Sequence, residues 1–111
     1  MRLCYSTAML TATRTSDPPR VVFELKGDLR LEDIARLRES FFNAMMGTGI
    51  EQLVLDLKQL RSIDASGISL FVATKNSIGK VKGELQLVRP QPPVYEMFAK
   101  SHLVDYFGIK T

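Results

Sequence analysis

The chain contains one cysteine, Cys4, one histidine, His102, and no tryptophan in its 111 residues. A lone thiol excludes an internal disulfide and a cysteine-based zinc site, and it suits a reducing compartment. With one imidazole, any serine-centred catalytic triad would have to recruit His102. No apolar run approaches the length that spans a bilayer. The mildly apolar start after Arg2 is broken by Ser6, Thr7, Thr11 and Thr13, a poor match to a leader peptide. A cytoplasmic protein without membrane insertion is therefore expected. Fifteen basic residues face twelve acidic ones, a net charge of +3. The two signs are interspersed along the whole chain, which argues against a nucleic-acid partner.

What is present is ordinary for a globular chain: 45% apolar and 24% charged residues, in a length that holds one core. No repeat, low-complexity segment or long linker divides it, so one domain over residues 1–111 is expected. Residues 21–25, Val-Val-Phe-Glu-Leu, are strand material that ends at the turn signal Gly27-Asp28. A stretch around residues 3–13 reads as an earlier strand, and Asp17-Pro18-Pro19 between the two is a loop. An antiparallel pair is the simplest connection.

From Leu31 to Met46, Leu31, Ile34, Leu37, Phe41 and Met45 recur at three or four residues, the pattern of an amphipathic helix. Gly47 and Gly49 stand where a left-handed cap would end it. Residues 52–57, Gln-Leu-Val-Leu-Asp-Leu, form a short apolar run of the kind found in a strand covered on both faces. A second helix is expected from about Asp64 to Ile78, burying Ile68, Phe71, Val72 and Ile78, with Gly79 as its stop. Residues 84–89 alternate as a strand. Pro92 and Pro93 open a third helix, on which Val94, Met97 and Phe98 share a face. Leu103 to Ile109 closes the chain as a short strand or packed tail. This order predicts an α/β fold: a mixed sheet covered by helices, with parallel crossovers and an N-terminal antiparallel pair.

The segment Ser62-Ile63-Asp64-Ala65-Ser66-Gly67-Ile68 carries a polar turn into the second helix. A helix start leaves amide hydrogens unpaired and favours a carboxylate, oxyanion or phosphate. Asp64 is placed as the cap, Ser66 falls in the first turn, and Gly67 lets another backbone approach. By itself this is a capping sequence.

Its surroundings carry more. Phe23-Glu24-Leu25-Lys26-Gly27-Asp28-Leu29, then Leu53-Val54-Leu55-Asp56-Leu57, then Ile63-Asp64-Ala65-Ser66-Gly67-Ile68, resemble in order and spacing the signature of the STAS domain family, anti-sigma factor antagonist type. Gly83-Glu84-Leu85-Gln86-Leu87-Val88 and Pro93-Val94-Tyr95-Glu96-Met97-Phe98 resemble its later strand and terminal helix. The resemblance implies that Ser66, directly before the loop glycine, is a phosphoacceptor. It also implies that Asp28, Asp64, Ala65, Gly67 and Ile68 surround it in a partner-binding loop, without cofactor or metal. Two departures stand out: Ala65 where many members carry Ser or Thr, and Ser69 where many carry Gly.

The implied mechanism is partner switching. The unmodified antagonist binds an anti-sigma factor, itself a serine kinase, and so frees a sigma factor; phosphorylation of Ser66 ejects it, and a serine phosphatase acting on phospho-Ser66 would restore binding. The alternative within the family is a soluble subunit of a lipid-transport ABC system or a stressosome-like scaffold.

Rival chemistries are weaker. Ser66 lacks the Gly-x that precedes a nucleophile elbow, so no enzyme is expected. Asp28, Asp56 and Asp64 suit turns and caps better than a metal. His102 reads as a helix-end residue, Cys4 as a small apolar one, and Phe41, Phe42, Met45 and Met46 as helix packing. Lys75, Lys80 and Lys82 read as a solvated face near the end of the second helix.

Overall fold

The computed structural model describes residues 2–6, 10–17, 19–46 and 50–109. Five strands, β1 (Arg2–Ser6), β2 (Leu10–Asp17), β3 (Arg20–Leu29), β4 (Gln52–Ile63) and β5 (Glu84–Val88), lie side by side in chain order. The first two pairings are antiparallel and the last two parallel. Four helices accompany them: α1 (Ile34–Met45), entered through a 3-10 turn at Leu31–Asp33, α2 (Ala65–Lys80), α3 (Pro92–Lys100) and α4 (Val104–Phe107). The mixed sheet with its leading antiparallel members matches the expectation from sequence.

Both parallel crossovers, β3–α1–β4 and β4–α2–β5, step the same way across the sheet. Right-handed connections therefore put α1 and α2 on one face. Five rings trace that layer outward from the sheet. Phe23 of β3 meets Phe41 of α1 edge-on at 4.9 Å, Phe41 lies 6.2 Å from Phe71 of α2, and Phe71 stacks on Phe98 of α3 at 6.2 Å. Phe98 then meets Phe107 of α4 edge-on at 5.4 Å. Leu25, Leu53, Leu55, Leu57, Leu85 and Leu87 supply the sheet side of this core.

Several boundaries differ from the sequence reading. The stretch around 3–13 is two strands: β2 pairs with β3 from Leu10↔Gly27 to Asp17↔Arg20, and β1 pairs back on its other edge. Gly27-Asp28 is no turn. Gly27 takes φ 104°, open to glycine, and with the register shift beside it β3 bends and continues to Leu29. β4 likewise runs on to Ile63.

β4 is buried on both faces from Leu53 to Leu57, as its apolar run indicates, but the second face is covered by neighbouring strands rather than helices. β2, β3 and β5 alternate buried and more exposed residues, so only one face is roofed. Val54, 1% exposed on the other face, is hidden in the middle of the sheet between its register partners Val22 and Gln86. Gly79 lies inside α2 rather than ending it. The stop comes after Lys80, where the Val81 and Gly83 amides donate back to the Ile78 carbonyl. The tail after Leu103 is the short helix α4, closed by Gly108 at φ 61° and anchored by buried Phe107. Pro18, Gly47 and Gly49 lie outside the described residues, as does the side chain of Cys4.

Phe71 is fully buried between Phe41 and Phe98. Phe71→Ala should lower the unfolding free energy by about 3–5 kcal/mol, read from urea titration of both proteins, because transfer and cavity losses add at such a site.

Candidate functional site

β3 and β4 end together, and register sets what meets there. Asp28 lies opposite Ser62 and Leu29 opposite Ile63. The Asp28 carboxylate is buried and fully engaged: Ser62 Oγ donates to Oδ1 at 2.7 Å and Arg61 Nη2 to Oδ2 at 2.8 Å. The Ser62 hydroxyl is the main reason the carboxyl is held below its ordinary value of 3.8; the guanidiniums of Arg61 and Arg30 act in the same direction, and desolvation opposes them.

One residue further, the chain turns into α2. The Asp64 amide donates to the Leu29 carbonyl at 3.3 Å, tying the helix cap to the last residue of β3. Asp64 is extended (φ −102°, ψ −178°), and its Oδ1 accepts the Gly67 amide at 3.1 Å. It is the N-cap that the sequence indicates. The amides of Ala65 and Ser66 donate to no described group, so the positive end of a sixteen-residue helix is open at this point.

Ala65 is exposed, Ser66 is half-buried, and Gly67 and Ile68 are buried. The Ser66 hydroxyl makes no hydrogen bond among the described residues, unlike that of Ser62, which is held by Asp28. Gly67 is where the helix comes down on the sheet. A Cβ there would sit 2.6 Å from Ile63 Cγ1 and 2.9 Å from Leu29 Cδ2.

All six predicted residues therefore gather at the carboxyl ends of two parallel strands, the place where open α/β sheets present their sites. Arg61 and Ser62 hold Asp28 from 33 and 34 residues away. Sequence reasoning missed that partnership, since only the register of β3 against β4 creates it. Ser62 was visible as a member of the motif; Arg61 carried no signal.

The other candidates settle elsewhere. Asp56 pairs with Arg89 and accepts the Lys58 amide at 3.1 Å, far from any turn. No group of three metal-ligating side chains occurs among the described residues. His102 stands exposed beyond the C-cap of α3, as its helix-end reading requires. Lys75 lies over the Tyr106 ring at 5.3 Å, and Lys80 occupies the last turn of α2. Phe41 is core, Phe42 carries the Arg38 guanidinium over its ring, and Met46 is exposed.

Two glycines of α2 should respond oppositely to alanine. At Gly67 the clash outweighs the helix-propensity gain of about 1 kcal/mol, so Gly67→Ala should destabilise by roughly 1–2 kcal/mol. Around Gly79 nothing lies within 4 Å, and Gly79→Ala should stabilise by about 0.5–1 kcal/mol. Urea midpoints of the two variants test the difference. Asp28 should also mark the acid limb of stability. Because its folded pKa is depressed, its contribution is present above 3.8 and lost as pH falls through the folded value. Asp28→Asn should lack that portion of the acid transition in melting temperatures recorded against pH.

A family model described as the STAS domain matches residues 10–111. The backbone superposes with TM-score 0.79 on the anti-sigma factor antagonist SpoIIAA in its unphosphorylated form, at 22% identity over 90% of this chain and 88% of that one. An anti-sigma factor antagonist from Mycobacterium paratuberculosis gives 0.81 at 18% identity, over 95% and 89%. The phosphorylated form of the Bacillus cell fate determinant SpoIIAA gives 0.71 at 21%, over 90% and 91%. At these identities the structural likeness concerns the fold, and with the family model spanning all but the first nine residues, the chain belongs to the STAS domain family.

Proposed function

We propose that this chain is a cytoplasmic anti-sigma factor antagonist whose binding to a serine-kinase anti-sigma factor is switched off by phosphorylation of Ser66. The observation that carries this reading is the uncommitted Ser66 hydroxyl at the open N-terminus of α2, next to a glycine that is packed against the sheet. A phosphoacceptor needs a hydroxyl that a kinase can reach and a local structure that survives the product. Phosphate adds about −1.5 to −2 charges. Here it would meet unpaired amides and the positive end of the helix dipole, so the fold tolerates it. The loss falls on the interface, where an anion must be desolvated in a contact built around a neutral hydroxyl.

The same geometry supports a protein substrate over an enzyme. The carboxylate nearest in sequence, Asp64, is occupied in capping the Gly67 amide, and no base is hydrogen-bonded to Ser66 among the described residues. A nucleophilic serine requires such a base. A structural neighbour is itself named in both unphosphorylated and phosphorylated forms, in keeping with a modification that the fold accommodates. A serine phosphatase acting on phospho-Ser66 would complete the cycle.

Incubation with ATP and the serine kinase of the anti-sigma class from the same organism should add one phosphate by intact mass, and none to Ser66→Ala. In calorimetric titration Ser66→Ala should bind the kinase like the native chain. Ser66→Asp should bind about tenfold or more weakly, equivalent to at least ~1.4 kcal/mol, with an unchanged circular dichroism spectrum. Equal phosphorylation of Ser66→Ala, or unaltered affinity after Ser66 is phosphorylated, would refute the switch.

A further inference from the structure

The face of the sheet opposite the helices carries a feature that the Ser66 site does not use. Between Glu24↔Asp56 and Lys26↔Gln59, β3 advances two residues while β4 advances three. This is a β-bulge, stabilised by the Lys58 amide donating to Asp56 Oδ1 at 3.1 Å. Its consequence is that Lys58 and Gln59, adjacent in sequence, are both exposed where strand alternation would turn one inward. Lys58 thereby joins Lys26 on β3 and Arg61 further along β4. A groove of about 450 Å³ is lined by these three cations with Gly27, Gln59 and Gln91. It shares Lys26, Lys58 and Gln59 with a neighbouring groove of about 360 Å³ that reaches Arg89, Glu24 and Thr13.

The charges in this double groove are unevenly committed. Asp56 is taken up by Arg89 and the Lys58 amide, and Asp28 by Arg61 and Ser62. Lys26 and Lys58 have no ion-pair partner among the described residues, and the Arg61 side chain is 68% exposed despite its bond to Asp28. The geometry points to a docking groove for an acidic segment of a partner protein, centred on Lys26 and Lys58.

Charge complementarity selects that occupant. A small anion would be expected in an enclosed site, whereas both grooves are broad and their cations sit on long, mobile side chains. A single-stranded nucleic acid would want aromatic platforms, and no aromatic side chain among the described residues lines either groove. Glu24, inside the groove, would also repel a continuous line of phosphates. An acidic segment that carries an occasional basic residue meets both signs.

Fluorescein-labelled decaglutamate, followed by fluorescence anisotropy at low ionic strength, should bind the native chain and be released at about 0.5 M salt. The K26E/K58E variant should weaken binding by roughly tenfold or more, and K26Q/K58Q by an intermediate factor. A control of equal charge, K80E/K100E on the helical side, should leave affinity within about twofold, with circular dichroism confirming that every variant is folded. The proposal is overturned if the native chain does not bind the peptide, or if both reversal pairs weaken it equally. It is also overturned if an oligouridine of the same length binds more tightly and is lost in K26E/K58E, which would make the groove a nucleic-acid site.

Discussion

Where α2 meets the sheet, there is no room for a side chain. Gly67 brings the helix to within van der Waals contact of Ile63 and Leu29, and the orientation of the helical layer follows from that approach. With the start of α2 fixed, Phe71 falls between Phe41 and Phe98, and Ile78 is buried at the far end. The same contact determines where Asp64 lies, since its amide must reach the Leu29 carbonyl. Core packing and the presentation of Ser66 are thus two results of one steric condition. A change that lifts the helix from the sheet disturbs both.

Electrostatics plays a narrower part. Two ion pairs, Asp28 with Arg61 and Asp56 with Arg89, each join a nearly buried carboxylate to an exposed guanidinium. Solvent-exposed cations contribute little to stability in such pairs. Their effect lies in order: both oxygens of each carboxylate, Asp28 at the end of β3 and Asp56 in the middle of β4, have a partner. The Ser62 hydroxyl and the Lys58 amide are the second partners. Removing the charge of Asp28 would leave Arg61 without its one described partner, so the two ends of that pair are not independent.

Local chemistry made much of this legible from the sequence. Pro92 and Pro93 start α3, Asp64 caps α2, and the three- and four-residue spacing of Leu37 and Phe41 marks the buried side of α1. The motif around Ser66 is local as well, which is why its residues are found together. The errors share a cause: they concern features that only neighbouring strands decide. Gly27 reads as a turn, yet β2 and β4 hold it in a ladder on both sides. Gly79 reads as a stop, but nothing near it penalises or requires one. The partnership of Arg61 with Asp28, and the bulge that exposes Lys58, depend on a register that no sequence periodicity encodes.

The single roofed face has a consequence for how such a chain can diverge. Inward positions of the sheet, such as Leu25, Leu55 and Leu87, are constrained by the volumes of the rings and aliphatic side chains above them. Outward positions such as Thr11, Glu24 and Lys26 carry no such volume constraint, because no helix lies over them. Along β2, β3 and β5, alternate residues therefore vary more freely than their inward neighbours. A backbone of this kind can persist while identity falls to about one residue in five, as it does between this chain and proteins that superpose on it at 0.7 to 0.8. Drift on the outward face would then change what each relative attracts without altering how it folds.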